Sequence, residues 1–161
     1  MYQDIIDFLT QTIYSCEPYN PCFYSSFVFI INVLVALYYG YHLYAGLFFA
    51  LLITSLLQHS HYNLLTTILD KIVIFSIVFY GGYLFYNKIS NNISPKIFEL
   101  NARQYFLSYI IVITLILTII LYCYGYLNNC FCYCNDQIEA YVFHVFMHCV
   151  GSLGHCCIAI L

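Results

Sequence analysis

With 161 residues, of which 63% are apolar and only 7% charged, the chain cannot build the surface of a soluble domain, where about 25% of residues carry charge. Its formal net charge of -3 and the lack of any basic run exclude nucleic acid and strong attraction to anionic lipid. At about 20 residues per membrane-crossing helix there is room for at most five or six spans, packed as one bundle.

The N-terminus Met1-Tyr2-Gln3-Asp4 lacks a positive leader region and a small-residue cleavage site, so the first helix is expected to serve as an uncleaved anchor. From Tyr2 to Tyr14, the residues Ile5, Ile6, Leu9 and Ile13 recur at helical spacing opposite Asp4 and Asp7, which predicts a short helix lying in the membrane interface. Pro18 and Pro21 end it. Residues 1–22 are therefore expected as an N-terminal interfacial segment and residues 23–161 as an all-α transmembrane bundle. Five apolar runs follow, Phe23 to Tyr39, His42 to Gln58, Leu64 to Tyr86, Tyr105 to Tyr126 and Ile138 to Leu161, with tyrosines crowding their ends as an aromatic belt. The polar linker Lys88 to Arg103 holds three of the four basic residues, which predicts that it is cytoplasmic and the N-terminus exoplasmic or luminal in an endomembrane or the plasma membrane.

That topology puts Cys16, Cys22, Cys130, Cys132 and Cys134 on the exoplasmic side, where disulfides persist, and at least one disulfide is expected within the set. Cys123, Cys149, Cys156 and Cys157 fall inside spans and read as small buried apolar side chains.

Ionisable residues inside spans are costly and mark function. Ser55 and His59 stand one helical turn apart at the end of the second span, Asp70 lies near the start of the third, and His144 and His148 stand one turn apart at the start of the fifth. His42, His61, His155, Lys71 and Glu139 complete the inventory; His61 could replace His59, and His155 reads as a packed polar group. With five spans the three chain ends in question fall on one side of the membrane, so the groups can meet. Singly, each histidine reads as an interhelical hydrogen-bonding group worth about 0.6 kcal/mol. Together, three imidazoles with a fourth position open are the ligand set of a catalytic zinc, and Asp70 adds a carboxylate to orient or deprotonate its water.

Ser55-Leu-Leu-Gln-His59, then Asp70 eleven residues on, then His144-Val-Phe-Met-His148 with Gly151-Ser152-Leu153-Gly154 behind it, resembles the alkaline ceramidases, in the membrane hydrolase superfamily that also holds the progestin and adiponectin receptor proteins. The resemblance covers mainly spans two, three and five. It implies zinc on His59, His144 and His148, Asp70 at the water on the zinc, Ser55 supporting the reacting oxygen, and hydrolysis of a lipid amide such as ceramide to a sphingoid base and a fatty acid. The alternatives are another lipid hydrolase of the superfamily or a catalytically inactive polytopic protein.

The chain departs from the family in three places. Cys16-Glu17-Pro18-Tyr19-Asn20 resembles the family's acidic calcium-binding stretch, but the preceding tryptophan is absent, the Glu-to-Asn spacing is one residue longer and no later glutamate follows, which puts calcium in doubt. The family has seven spans, so two are missing here, and a partner or a second copy could supply them. Met147 stands where the ceramidases carry tryptophan.

Overall fold

In the computed structural model, residues 14–15, 20–92 and 101–161 are described. The first helix, α1 (Pro21–Tyr38), starts on a strong local signal: Asn20 caps it by accepting the Cys22 N–H at 2.9 Å, and Pro21 occupies the first turn, where its missing N–H is no loss. A tighter 3-10 turn at Ser26–Val28 interrupts it before Phe29–Tyr38 resumes as α-helix. Gly40, at φ 77, makes the reversal into α2 (His42–Ser60). Next come β2 (His61–Tyr62) and α3 (Leu64–Asn92). α4 (Ala102–Ile119) opens on a reciprocal capping box between Asn101 and Gln104, passes through a π-helical turn at Ile120–Tyr124, and ends with Gly125–Asn128 and a left-handed Asn129. After a 3-10 turn at Phe131–Tyr133, Asp136 caps α5 (Gln137–Ile160) through the N–H groups of Ile138 and Glu139.

Five helices among the described residues are therefore long and apolar enough to cross a membrane, and the chain is an all-α membrane bundle as its composition requires. The outward faces agree. Leu34, Leu43, Phe79 and Phe106 are each more than 60% exposed, an arrangement that suits lipid and not water. The core runs through Phe29, Ala36, Tyr44, Phe48, Leu51, Ile77 and Ile111.

The expected boundaries shift slightly. α1 begins at Pro21 rather than Phe23, α2 and α3 run past Gln58 and Tyr86, and α4 starts three residues before Tyr105 because of its capping box. The expected interfacial helix lies outside the described residues save for Tyr14, which is extended: β1 (Tyr14–Ser15) pairs antiparallel with β2, Tyr14 opposite Tyr62 and Ser15 opposite His61. Cys16 and Glu17, and with them the calcium stretch before Asn20, lie outside the described residues, as does 93–100 of the expected cytoplasmic linker. Cys130, Cys132 and Cys134 remain thiols, so the expected disulfide does not form among those three: the Cys132 thiol points to Met147 Sδ at 3.9 Å and that of Cys134 to Glu139 Oε2 at 3.3 Å.

α5 is the hub. It packs along α4, where Gly154 admits Thr114, and along α1, where buried Asn32 donates to the Ser152 carbonyl at 2.9 Å and accepts from its hydroxyl at 2.6 Å. At its far end Lys88 of α3 donates to the carbonyls of Ile158 and Ala159 at 2.9 and 2.8 Å, satisfying groups that a helix C-terminus leaves open. His155, expected as a packed polar group, is one: it is hydrogen-bonded to buried Tyr44 of α2.

Candidate functional site

At the opposite end of α5 three imidazoles converge. His59 comes from the last turn of α2, and His144 and His148 come one turn apart from α5. Their ring centroids lie 5.0 Å (His59 to His144), 5.6 Å (His59 to His148) and 4.8 Å (His144 to His148) apart. The bundle parity and the four-residue spacing together produce this meeting. His61, the possible substitute for His59, is exposed in β2, and His42 stands at the start of α2, at the other end of that helix.

The start of α1 supplies hydroxyls to His148 and to Ser55. Ser25 Oγ lies 2.8 Å from His148 Nδ1 and donates its one proton to the Cys22 carbonyl at 3.0 Å. A hydroxyl has a single proton to give, so when Ser25 gives it to the Cys22 carbonyl it can only accept from His148, and that arrangement puts the ring hydrogen on Nδ1. That tautomer leaves the Nε2 lone pair of His148 available. Phe29 fixes the same ring from one side at 5.1 Å.

Ser55 is 3% exposed, and its Oγ lies 2.8 Å from that of Ser26. Ser26 Oγ also lies 2.9 Å from the Cys22 carbonyl, and when its proton goes there Ser55 is the donor of the Ser55–Ser26 pair. The Ser55 hydroxyl is thus engaged with Ser26 and must turn away from it to serve a reacting oxygen. Asp70 is 5% exposed, with Oδ1 accepting from Thr54, the neighbour of Ser55, at 3.3 Å and Oδ2 paired with Lys71 Nζ at 3.4 Å. The pair offsets the cost of a carboxylate within the bundle. The Lys71 ammonium also stands 4.9 Å over the Tyr122 ring, which the π-helical turn of α4 presents.

Sequence reasoning missed Cys22. Among the described residues, the donor atoms that lie mutually within 4.8 Å belong to Cys22, His59 and His144, with His148 beside them. Cys22 was expected on the exoplasmic side as the last residue of the interfacial segment, ahead of a span starting at Phe23, but the Asn20-Pro21 pair is a helix-start signal that carries it into the first turn of α1. Asn20 also donates to the His59 carbonyl at 3.3 Å, tying that turn to the end of α2. Ser25 and Ser26, polar residues at the start of an otherwise apolar span, were legible as candidates by the same logic as Ser55.

Nitrogen and sulfur donors grouped in this way suit zinc and not calcium or magnesium, which take oxygen. Beside the site, an open cleft of about 430 Å³ is lined by Pro21, Ile138, Tyr141, Val142 and Val145, apolar but for one phenol.

Fold and site together define a polytopic membrane protein with a histidine-lined polar centre at one end of an apolar bundle. The chain matches no protein-family model, no curated protein and no solved structure.

Proposed function

We propose that the protein is a zinc-dependent, membrane-embedded lipid amide hydrolase that cleaves a ceramide-like substrate to a sphingoid base and a fatty acid. The observation that carries this reading is the convergence of His59, His144 and His148, with Ser55 buried one turn before His59 and Asp70 buried against Thr54, the neighbour of Ser55. Zinc held there would act as a Lewis acid on the amide carbonyl and acidify a water.

The remaining chemistry belongs to the chain. Ser25 holds His148 Nδ1 and directs the ring. Asp70 takes the proton of the attacking water and passes it to the leaving amine, while Thr54 and Lys71 hold its two oxygens in place. Ser55, turned from Ser26, donates to the developing oxyanion. The cleft beside the site receives the acyl chain, since its Ile138 and Val142 walls are exposed apolar surface. In the membrane, the loop from Lys88 to Arg103 faces the cytoplasm and the site lies at the exoplasmic or luminal end.

The test is zinc stoichiometry on the purified full chain together with turnover of a labelled ceramide. One zinc per chain with release of labelled fatty acid supports the reading. Chain without zinc removes it, and zinc without turnover of any lipid amide or ester leaves an inactive metal-binding relative of such enzymes.

A further inference from the structure

Cys22 sits where His59 and His144 meet, on neither of the helices that carry those histidines. Its backbone is fixed on both sides, the N–H by Asn20 at 2.9 Å and the carbonyl by the hydroxyls of Ser25 and Ser26 at 3.0 and 2.9 Å. The residue is 2% exposed, and its Sγ and one ring nitrogen of each histidine lie within 4.8 Å of one another. A tetrahedral zinc with bonds of about 2.0–2.3 Å holds such donors roughly 3.3–3.6 Å apart, so closing on an ion asks for side-chain movements of about 1 Å.

We infer that Cys22, as thiolate, is a ligand of the ion held by His59, His144 and His148, making the resting site a closed centre of one thiolate and three imidazoles and not an open three-histidine one. This rests on the metal-centred reading above. The sulfur–hydrogen bond breaks as the metal–sulfur bond forms, and the proton leaves to water. Electrostatics favours the arrangement. Three neutral imidazoles leave a bound divalent ion with its full charge inside an apolar bundle, whereas one thiolate halves it. The soft sulfur also selects zinc over hard cations. The consequence for function is gating: a lipid carbonyl or a water reaches the ion only when the thiolate yields its position.

The test uses the full chain in lipid nanodiscs with cobalt(II) in place of zinc. Wild type is expected to show the visible bands of tetrahedral cobalt together with a near-ultraviolet thiolate-to-cobalt charge-transfer band. Cys22→Ser should keep the visible bands, lose the charge-transfer band and bind metal at least about 10-fold more weakly. Cys132→Ser, which alters another thiol near the site, should keep both sets of bands. Visible bands without charge transfer in the wild type overturn the role of Cys22 and leave the histidine site standing. A band that survives Cys22→Ser but not Cys132→Ser likewise overturns it. No cobalt binding at all removes both this inference and the reading beneath it. If Cys22→Ser does not fold, X-ray absorption of the zinc-loaded wild type and Cys132→Ser proteins decides: one sulfur at about 2.3 Å from the zinc in both supports the ligand, and a first shell of nitrogen and oxygen alone, or a sulfur lost in Cys132→Ser, refutes it.

Discussion

Gly154→Ala is the substitution whose cost follows most directly from the packing of α5 on α4. An added Cβ would overlap Thr114 Oγ1 and lie 3.0 Å from Thr114 Cβ, against about 3.5 Å or more for ordinary contact. Threonine is stiff at χ1, and its hydroxyl is anchored to the carbonyls of Ile110 and Ile111 at 2.9 and 3.0 Å. Rotation therefore costs a buried hydrogen bond, about 0.5–1.5 kcal/mol, and even then the Cβ contact forces the helices apart. Adding about 1–3 kcal/mol for overpacking gives a destabilisation of roughly 2–4 kcal/mol, or about 30- to 1,000-fold in the unfolding equilibrium. SDS-titrated unfolding of the full chain in mixed micelles measures it. In the Thr114→Ala background the hydroxyl clash and its hydrogen-bond cost are gone while the 3.0 Å Cβ contact remains, so the same glycine substitution should cost about 0.5–1.5 kcal/mol less, a coupling of the size seen for contacting residues. An equal cost in both backgrounds would refute the close-approach argument. Because Gly154 lies about 9 Å along α5 from His148, the wedge should also disturb the histidine cluster.

Other outcomes follow from the site. His148→Ala leaves Cys22, His59 and His144 as ligands, so it should weaken zinc by at least about 10-fold and abolish ceramide turnover, and wild-type zinc affinity in the purified variant would remove His148 from the site. Asp70→Asn should retain most of the zinc while turnover falls by about 10²–10⁴-fold, and Ser55→Ala should cost less than about 10³-fold; parallel metal analysis and kinetics separate these effects from loss of the ion. Ser25→Ala frees the His148 ring and should weaken zinc by about 10–100-fold in a chelator competition, whereas unchanged affinity would deny Ser25 its positioning role. A glycosylation acceptor inserted in the segment from Leu127 to Gln137 should be modified in microsomes, and one in the loop from Lys88 to Arg103 should not; the reverse pattern inverts the topology.

The spans were legible because lipid imposes a simple rule, a long apolar run closed on its own hydrogen bonds, and the five runs obey it. The meeting of His59 with His144 and His148 was legible from spacing and parity alone. What escaped is what depends on a short turn. Pro21 read as a terminator because proline breaks helices, yet at the first turn it starts one, and Cys22, Ser25 and Ser26 are delivered to the site as a result. The engagement of Ser55 with Ser26 was hidden for the same reason, since it needs the 3-10 turn of α1 as well as the end of α2. The π-helical turn that lays Tyr122 under Lys71 has no sequence signature in the run from Ile119 to Gly125, and only packing reveals it.

The polar cluster occupies a particular depth. His59 is one residue from the end of α2, Asp70 six from the start of α3 and His144 seven from the start of α5, which at about 1.5 Å per residue puts them roughly 2–10 Å below the helix ends. The interfacial layer on each side of the roughly 30 Å hydrocarbon core is about 5–8 Å thick, so with the helix ends at the outer edge of that layer the cluster would sit at the boundary where headgroups give way to chains. A two-tailed lipid standing in its own leaflet carries its amide or ester linkage at that same level. Under the proposed function, such a lipid would meet the histidines by sliding sideways through the cleft at α5, with no need to be lifted into water, and the encounter would be two-dimensional, governed by its mole fraction in the leaflet and not by its concentration in the aqueous phase.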